Sequence, residues 1–135
     1  MDDIDRWHAI YSHFDNGYFI FRVNSDNKLH LQVRLDTGSG TTWKTVTGTT
    51  ELESGTWYHV AATFSSTTDR IRVYVNEDLE GTTTFNSAYT MSNRDCCNNW
   101  VGYDNYNGYA LDGIIDEVRI SSVEQTDFQS ALCYD

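Results

Sequence analysis

The strongest constraint on what this chain can fold into is the stretch Ser54–Asn76, SGTWYHVAATFSSTTDRIRVYVN. Tyr58, Val60, Ala62 and Phe64 alternate with Trp57, His59, Ala61 and Thr63, the period-two pattern of a half-buried strand. Ser65–Asp69 (SSTTD) is turn chemistry. Ile71, Val73 and Val75 then share one face, against Arg70, Arg72, Tyr74 and Asn76 on the other. The stretch predicts an antiparallel hairpin with one side on a core and one side toward water.

The flanking chain repeats the theme. Trp7–Phe14 and Gly17–Val23 are predicted strands around Asp15-Asn16-Gly17, a tight-turn sequence. Phe19, Phe21 and Val23 point one way, and Tyr18, Ile20 and Arg22 the other. Lys28–Leu35 alternates cleanly, with Leu29, Leu31, Val33 and Leu35 opposite Lys28, His30, Gln32 and Arg34. Thr41–Thr47 is a Thr-rich strand of high β propensity carrying Trp43. After the central hairpin, Glu77–Gly81 is predicted as a turn, Thr82–Phe85 and Trp100–Tyr103 as short strands, and Asn86–Asn99 as a long polar loop. Tyr109–Ile120 is predicted to return through the core with Ile114, Asp116, Val118 and Ile120 on one face. Ser122–Leu132 is the one helical candidate: Thr126 and Gln129 have capping-box spacing, and Phe128 with Leu132 forms an i, i+4 apolar pair. Turn signals every eight to twelve residues are those of a sandwich or barrel.

Two of these segments carry a family resemblance. W-Y-H-V-A-x-T-F, a polar turn and R-V-Y-V-N resemble the central hairpin of laminin-G-like jelly-roll domains of the concanavalin A-like lectin/glucanase type. The C-terminal signature of those domains, a Gly–hydrophobic–Asp–Glu–Val–Arg–Ile strand before a short helix, is matched by Gly113-Ile114-Ile115-Asp116-Glu117-Val118-Arg119-Ile120. The resemblance implies an all-β, two-sheet antiparallel jelly-roll sandwich with a short C-terminal helix. Such domains usually begin with an extra strand or two ahead of the strand matched here by Trp7–Phe14, and only six residues precede it here. Either the sequence is a fragment of a longer one or a sheet edge is left unpaired, and an exposed edge would invite a dimer or larger assembly. Where the family pattern has Asp-Gly after the Tyr-Val step, this chain has Asn76-Glu77, which predicts a longer turn ending at Gly81.

At 135 residues the chain is expected to form one domain, 1–135, large enough to bury its own core. Nine Lys and Arg against 20 Asp and Glu give a net charge of −11, which argues against nucleic acid because phosphate binding needs a basic patch. The excess carboxylate suits calcium, or a neutral or cationic partner, and it also keeps a β-rich surface solvated. No apolar run reaches the roughly 20 residues that span a membrane. The acidic opening Met1-Asp2-Asp3-Ile4-Asp5 is not a secretory signal peptide. Either the segment is cut from a longer precursor or the chain is not exported; the resemblance implies an extracellular or cell-surface setting. Cys96, Cys97 and Cys133 leave at least one cysteine without an intrachain partner. Adjacent cysteines pair poorly, so Cys133 with one of the two is favoured, a closure of about 3–4 kcal/mol; three reduced thiols are the alternative.

Sugars bind where an aromatic face covers the apolar side of the ring while amides and carboxylates bond its hydroxyls. The stretch Trp100–Tyr109, WVGYDNYNGY, supplies Trp100, Tyr103, Tyr106 and Tyr109 as stacking surfaces and Asp104, Asn105 and Asn107 as polar groups. Trp43 is a second stacking candidate. The plainer reading of the stretch is that Trp100 and Tyr103 are core or edge residues and the amides turn the chain. Calcium is the second candidate. Relatives often hold this ion at a loop rim with six to eight oxygens, and the resemblance points to Asp104 and Asn105, with Asp26 or Asp95 if the fold joins the loops. No contiguous calcium-loop pattern occurs.

A catalytic reading is disfavoured. Laminarinase-type enzymes on this sandwich alternate acids along one strand, whereas Asp116 and Glu117 are adjacent and point to opposite faces, and retaining hydrolysis needs two carboxyls about 5 Å apart. Asp116 reads instead as a partly buried structural carboxylate. His8, His13, His30 and His59 show no ligand spacing, and no nucleophile elbow, P-loop or dinucleotide fingerprint is present. The expectation is therefore a non-catalytic lectin-like module that binds a glycan or polysaccharide, with calcium as an auxiliary. A protein-binding or adhesion module of an extracellular or surface protein is the alternative, and an atypical polysaccharide-active enzyme ranks last.

Overall fold

The computed structural model describes residues 6–13, 19–91 and 98–125. Eleven strands form in chain order: β1 (His8–His13), β2 (Phe19–Val23), β3 (Leu29–Asp36), β4 (Thr41–Thr47), β5 (Val60–Ser65), β6 (Arg70–Val75), β7 (Asp78–Thr84), β8 (Thr90–Met91), β9 (Asn99–Val101), β10 (Tyr103–Asp104) and β11 (Tyr109–Ala110). There is no helix among the described residues. A six-stranded sheet has the order β4-β3-β2-β1-β9, with β8 pairing the end of β3; a three-stranded sheet has the order β5-β6-β7, and β10 and β11 form a small hairpin. Every pairing among the described residues is antiparallel.

The core lies between the two larger sheets. Leu29, Leu31, Val33 and Leu35 are completely buried, as alternation along β3 requires, and they meet Ile71 and Val73 from β6. Each such side chain contributes about 1.5–3 kcal/mol through removal from water. Register carries the pattern sideways. Phe21 opposes Leu31, which opposes Val46, so three strands put their apolar residues on the same side. The opposite series, Ile20, Gln32 and Thr45, lies on the outer face of that sheet.

The β6–β7 connection is tighter than the sequence predicts. Asn76 and Glu77 have φ of 47° and 76°, and Val75 pairs directly with Asp78. Two central residues with positive φ make a two-residue hairpin turn of the kind that matches strand twist. The turn therefore ends at Asp78 and not at Gly81, and β7 begins there.

Five further expectations change. The predicted strand from Trp57 starts only at Val60, and Trp57 is 66% exposed. The strand predicted as Trp100–Tyr103 is broken at Gly102, whose φ of 73° turns the chain out of β9 and into β10. The predicted strand Tyr109–Ile120 stops at Ala110. Beyond it the chain lies outside any sheet, with Ile114, Val118 and Ile120 exposed at 78%, 53% and 69%. Among the described residues no strand pairs with it, so its alternation does not mark a sheet face. Asp116, expected to be partly buried, is exposed and accepts the N–H of Glu117. Residues 122–125 are not helical; the rest of the predicted helix, Asp95 and the three cysteines lie outside the described residues.

Candidate functional site

The outer face of the six-stranded sheet is where the sequence candidates converge. Over β1 and β2 this face is covered by the β10–β11 hairpin, and Ile20, Ser12 and Ala9 beneath it are fully buried. The Ser12 hydroxyl donates to the carbonyl of Tyr103 at 2.9 Å, tying the hairpin to the sheet. Over β3 and β4 the face is open. Trp43 opposes Arg34 there, Thr45 opposes Gln32, and Thr47 opposes His30.

Asp104 organises the hairpin. It is fully buried, and its Oδ1 accepts the backbone N–H groups of Tyr106 (2.9 Å) and Asn107 (3.3 Å). Its Oδ2 accepts Nδ2 of Asn107 (2.7 Å) and Nη1 of Arg22 (3.4 Å). Aspartate side chains favour this turn because they replace backbone acceptors two and three residues on. The N–H of Gly108 donates to the Asp104 carbonyl at 2.7 Å, and Gly108 supplies the positive φ of 74° that closes the loop.

Arg22 is the other half of the device. Its guanidinium lies 4.0 Å from the Trp7 ring centroid and 6.0 Å from that of Tyr109, and Nη2 reaches Gln32 Oε1 at 3.3 Å. Trp7 and Tyr109 stack at 6.3 Å. Burial lowers the Arg22 pKa, and the neighbouring Asp104 carboxylate opposes that shift. His30 abuts Trp7 edge-on at 5.1 Å and pairs through Nδ1 with the Thr47 hydroxyl at 3.0 Å. Burial, with the Arg22 charge nearby, lowers its pKa to about 4.

The outcome is that Tyr106 projects from the hairpin over the open part of the sheet. Its ring centroid is 6.3 Å from that of Trp43, with the planes inclined at 35°, and both rings are partly open to water at 49% and 38%. The Arg34 guanidinium lies 5.7 Å from the Trp43 ring. Thr45 and Thr47 on β4 and Asn105 and Asn107 on the hairpin are also exposed. An aromatic surface with hydroxyls, amides and one guanidinium on the elements that carry it is suited to a flat, hydroxyl-rich ligand.

Two candidates the sequence treated separately, Trp43 and the 100–109 stretch, are thus brought together at Tyr106. The other aromatics face elsewhere: Tyr109 turns inward onto Trp7, while Trp100 and Tyr103 pack edge-to-face at 5.6 Å on the β9 side. Asp26 is exposed in the β2–β3 turn. Calcium does not fit at Asp104. Both carboxylate oxygens already accept protein donors, and one of those donors is a guanidinium cation. Among the described residues no three His, Cys, Asp or Glu side chains gather as a metal site would need. Arg22, Trp7, Gln32 and Arg34 were not singled out in the sequence. Alternation does place Arg22, Gln32 and Arg34 on the outer face, but only sheet register joins them to Trp43 and the hairpin.

A laminin G family model, described as the concanavalin A-like lectin/glucanases superfamily, matches residues 1–128. The chain belongs to this superfamily. Among solved structures, the 2.1 Å crystal structure of an S-layer domain-containing protein (residues 221–444) from Clostridium thermocellum is similar, with 27% sequence identity and a TM-score of 0.41. The match covers 90% of the present chain and 59% of that one. No curated protein matches the chain. This concanavalin A-like chain has no helix, among its described residues, long and apolar enough to cross a membrane.

Proposed function

We propose that the protein is a non-catalytic, lectin-like carbohydrate-recognition module of an extracellular or cell-surface polypeptide. The glycan would lie on the outer face of the six-stranded sheet, against Trp43 and Tyr106. The observation that carries this reading is the approach of those two partly exposed rings to 6.3 Å. One sugar ring stacks its apolar face on this surface while Asn105, Asn107 and Thr45 bond its hydroxyls. Superfamily membership supports a glycan as ligand, although one fold hosts many functions and the site must carry the argument. Recognition here is independent of calcium, since Arg22 already neutralises Asp104. Hydrolysis is not part of the proposal: Asp116 and Glu117 are sequence neighbours on an exposed segment, whereas retaining hydrolysis needs two carboxyls held about 5 Å apart across the sugar.

A glycan array probed in calcium and again in chelator tests the proposal. Binding that persists in chelator and disappears in Trp43→Ala supports it. Binding that chelator abolishes assigns the ligand to a metal site elsewhere, and absence of binding in both conditions removes the lectin reading.

A further inference from the structure

The turn of the β10–β11 hairpin contains Asn107-Gly108, a pair with chemistry of its own. The backbone nitrogen of the glycine can attack the side-chain amide carbon of the asparagine. Ring closure expels ammonia and leaves a succinimide, and water then opens the ring to aspartate or isoaspartate. Water is the one co-reactant, and nothing is oxidised or reduced. Glycine favours the attack because no side chain shields its nitrogen, whereas the bulky Tyr106 hinders the same step at Asn105. Asn107 and Gly108 are both exposed, so water has access to the pair.

In the folded chain Asp104 holds both reacting groups. The nitrogen that must leave, Asn107 Nδ2, donates to Asp104 Oδ2 at 2.7 Å. The nitrogen that must attack, that of Gly108, donates to the Asp104 carbonyl at 2.7 Å. This nitrogen has to give up its proton before it closes on carbon, and a carbonyl acceptor keeps the proton in place. The N–H of Asn107 is fixed as well, on Asp104 Oδ1 at 3.3 Å. Ring closure therefore needs the turn to come away from Asp104 first. The way back is then obstructed. A product carboxylate would face the buried Asp104 carboxylate where an amide donor had stood, and like charges at contact oppose each other's ionised form. Isoaspartate also adds a carbon to the main chain inside the turn. Arg22, which reaches Oδ2 at 3.4 Å and Gln32 at 3.3 Å, would be one cation for two anions.

We infer that Asn107-Gly108 is a gated deamidation site: slow to react while its turn is closed on Asp104, reactive when the turn opens, and one-way because the product resists closing again. The gate is set by the ties between hairpin and sheet, among them the bond from the Ser12 hydroxyl to the Tyr103 carbonyl. A chemical change at one exposed amide thereby turns a passing opening of the hairpin into a lasting one. Tyr106, on the same turn, loses its position against Trp43 as a result. The inference concerns the hairpin itself and does not rest on the glycan reading.

The test incubates the full chain in mildly alkaline buffer and follows Asn107 by peptide mapping, which separates it from Asn16-Gly17, the other Asn-Gly in the sequence. A blocked peptide spanning Asp104–Ala110 gives the ungated rate. The folded chain is expected to react at least about tenfold more slowly than the peptide, because the open turn is a minor state. Ser12→Ala removes one tie beneath the hairpin and is expected to speed the reaction about twofold to tenfold. Ile71→Val, in the core between the large sheets, is expected to leave it unchanged. Equal rates in chain and peptide overturn the gate, as does a Ser12→Ala chain no faster than the parent. Equal acceleration by Ser12→Ala and Ile71→Val would place the reaction in the globally unfolded chain and also overturn it. The one-way step is read by amide hydrogen exchange at Tyr106 in Asn107→Asp and Asn107→Ala. Both lose the amide donor, and only the first adds a charge. Asn107→Asp is expected to exchange at least about fivefold faster than Asn107→Ala, and equal exchange in the two variants overturns this step.

Discussion

Arg22 and Asp104 stand 82 positions apart and meet at 3.4 Å, with side-chain exposures of 8% and 0%. The pair fastens the β10–β11 hairpin to the sheet, and Tyr106 owes its place opposite Trp43 to it. Removing one member of a buried pair leaves the other charge uncompensated, which typically costs about 3–5 kcal/mol. Asp104→Ala is therefore expected to lower stability by roughly that amount, and Asp104→Ala combined with Arg22→Met to recover most of the loss. Urea unfolding of both variants checks this; equal destabilisation by the single and the double change would show that the charge itself is not the issue.

The aromatic pair separates binding from folding. Both rings are substantially exposed, so Trp43→Ala and Tyr106→Ala are each expected to change stability by no more than about 0.5 kcal/mol. Each removes a stacking face worth about 0.5–1.5 kcal/mol, a loss of roughly threefold to tenfold in glycan affinity. Calorimetric titration of the array-selected glycan, alongside thermal melts, measures both quantities.

His30 makes stability depend on pH. Its pKa is near 4 in the folded chain against 6.5 for the free side chain, so between those values the unfolded chain binds more protons. Stability is then fully present above pH 6.5 and declines as the pH falls toward 4. The slope is bounded by one proton, about 1.4 kcal/mol per pH unit, and is lowered by the water that still reaches the ring. Denaturation midpoints taken across that window should flatten in His30→Gln relative to the parent chain.

Two backbone positions predict opposite signs. Gly81→Ala places a Cβ against Val46 and the Thr47 carbonyl, and overpacking of this kind costs about 1–3 kcal/mol. Glu77 holds a φ of 76° in a turn that favours glycine at that position. Glu77→Gly is expected to stabilise the chain by about 0.5–1 kcal/mol through relief of left-handed strain. Parallel chemical melts decide both, and a stabilising Gly81→Ala would mean that the two sheets can separate at that margin.

The sandwich was legible wherever a strand had neighbours on both sides. Leu29, Leu31, Val33 and Leu35 alternate because a core lies under them, and Thr41–Thr47 formed the strand its composition predicted. Ile114, Val118 and Ile120 alternate just as cleanly and are exposed. Alternation reports which face a strand would bury, but whether another strand lies beside it depends on the rest of the sheet. The site was half legible. Trp43 and Tyr106 could be named as stacking residues, but their meeting depends on the order β4-β3-β2-β1 and on a hairpin folded across it. The family resemblance makes Asp104 a calcium candidate, beside the simpler reading of a solvated loop acid. The same negative charge found a guanidinium from β2, a partner no local spacing reveals.

The hairpin that carries Tyr106 rests on the Arg22–Asp104 pair, the Ser12–Tyr103 bond, the stacking of Tyr109 on Trp7 and a few backbone contacts, whereas Trp43 sits within a seven-residue strand. The two walls of the aromatic surface therefore differ in local stability. A ligand that needs both can bind only the fraction of molecules with the hairpin seated, and its apparent dissociation constant is the intrinsic value divided by that fraction. Substitutions beneath the hairpin, far from any sugar, would then tune affinity through the seated population while leaving every ligand contact in place.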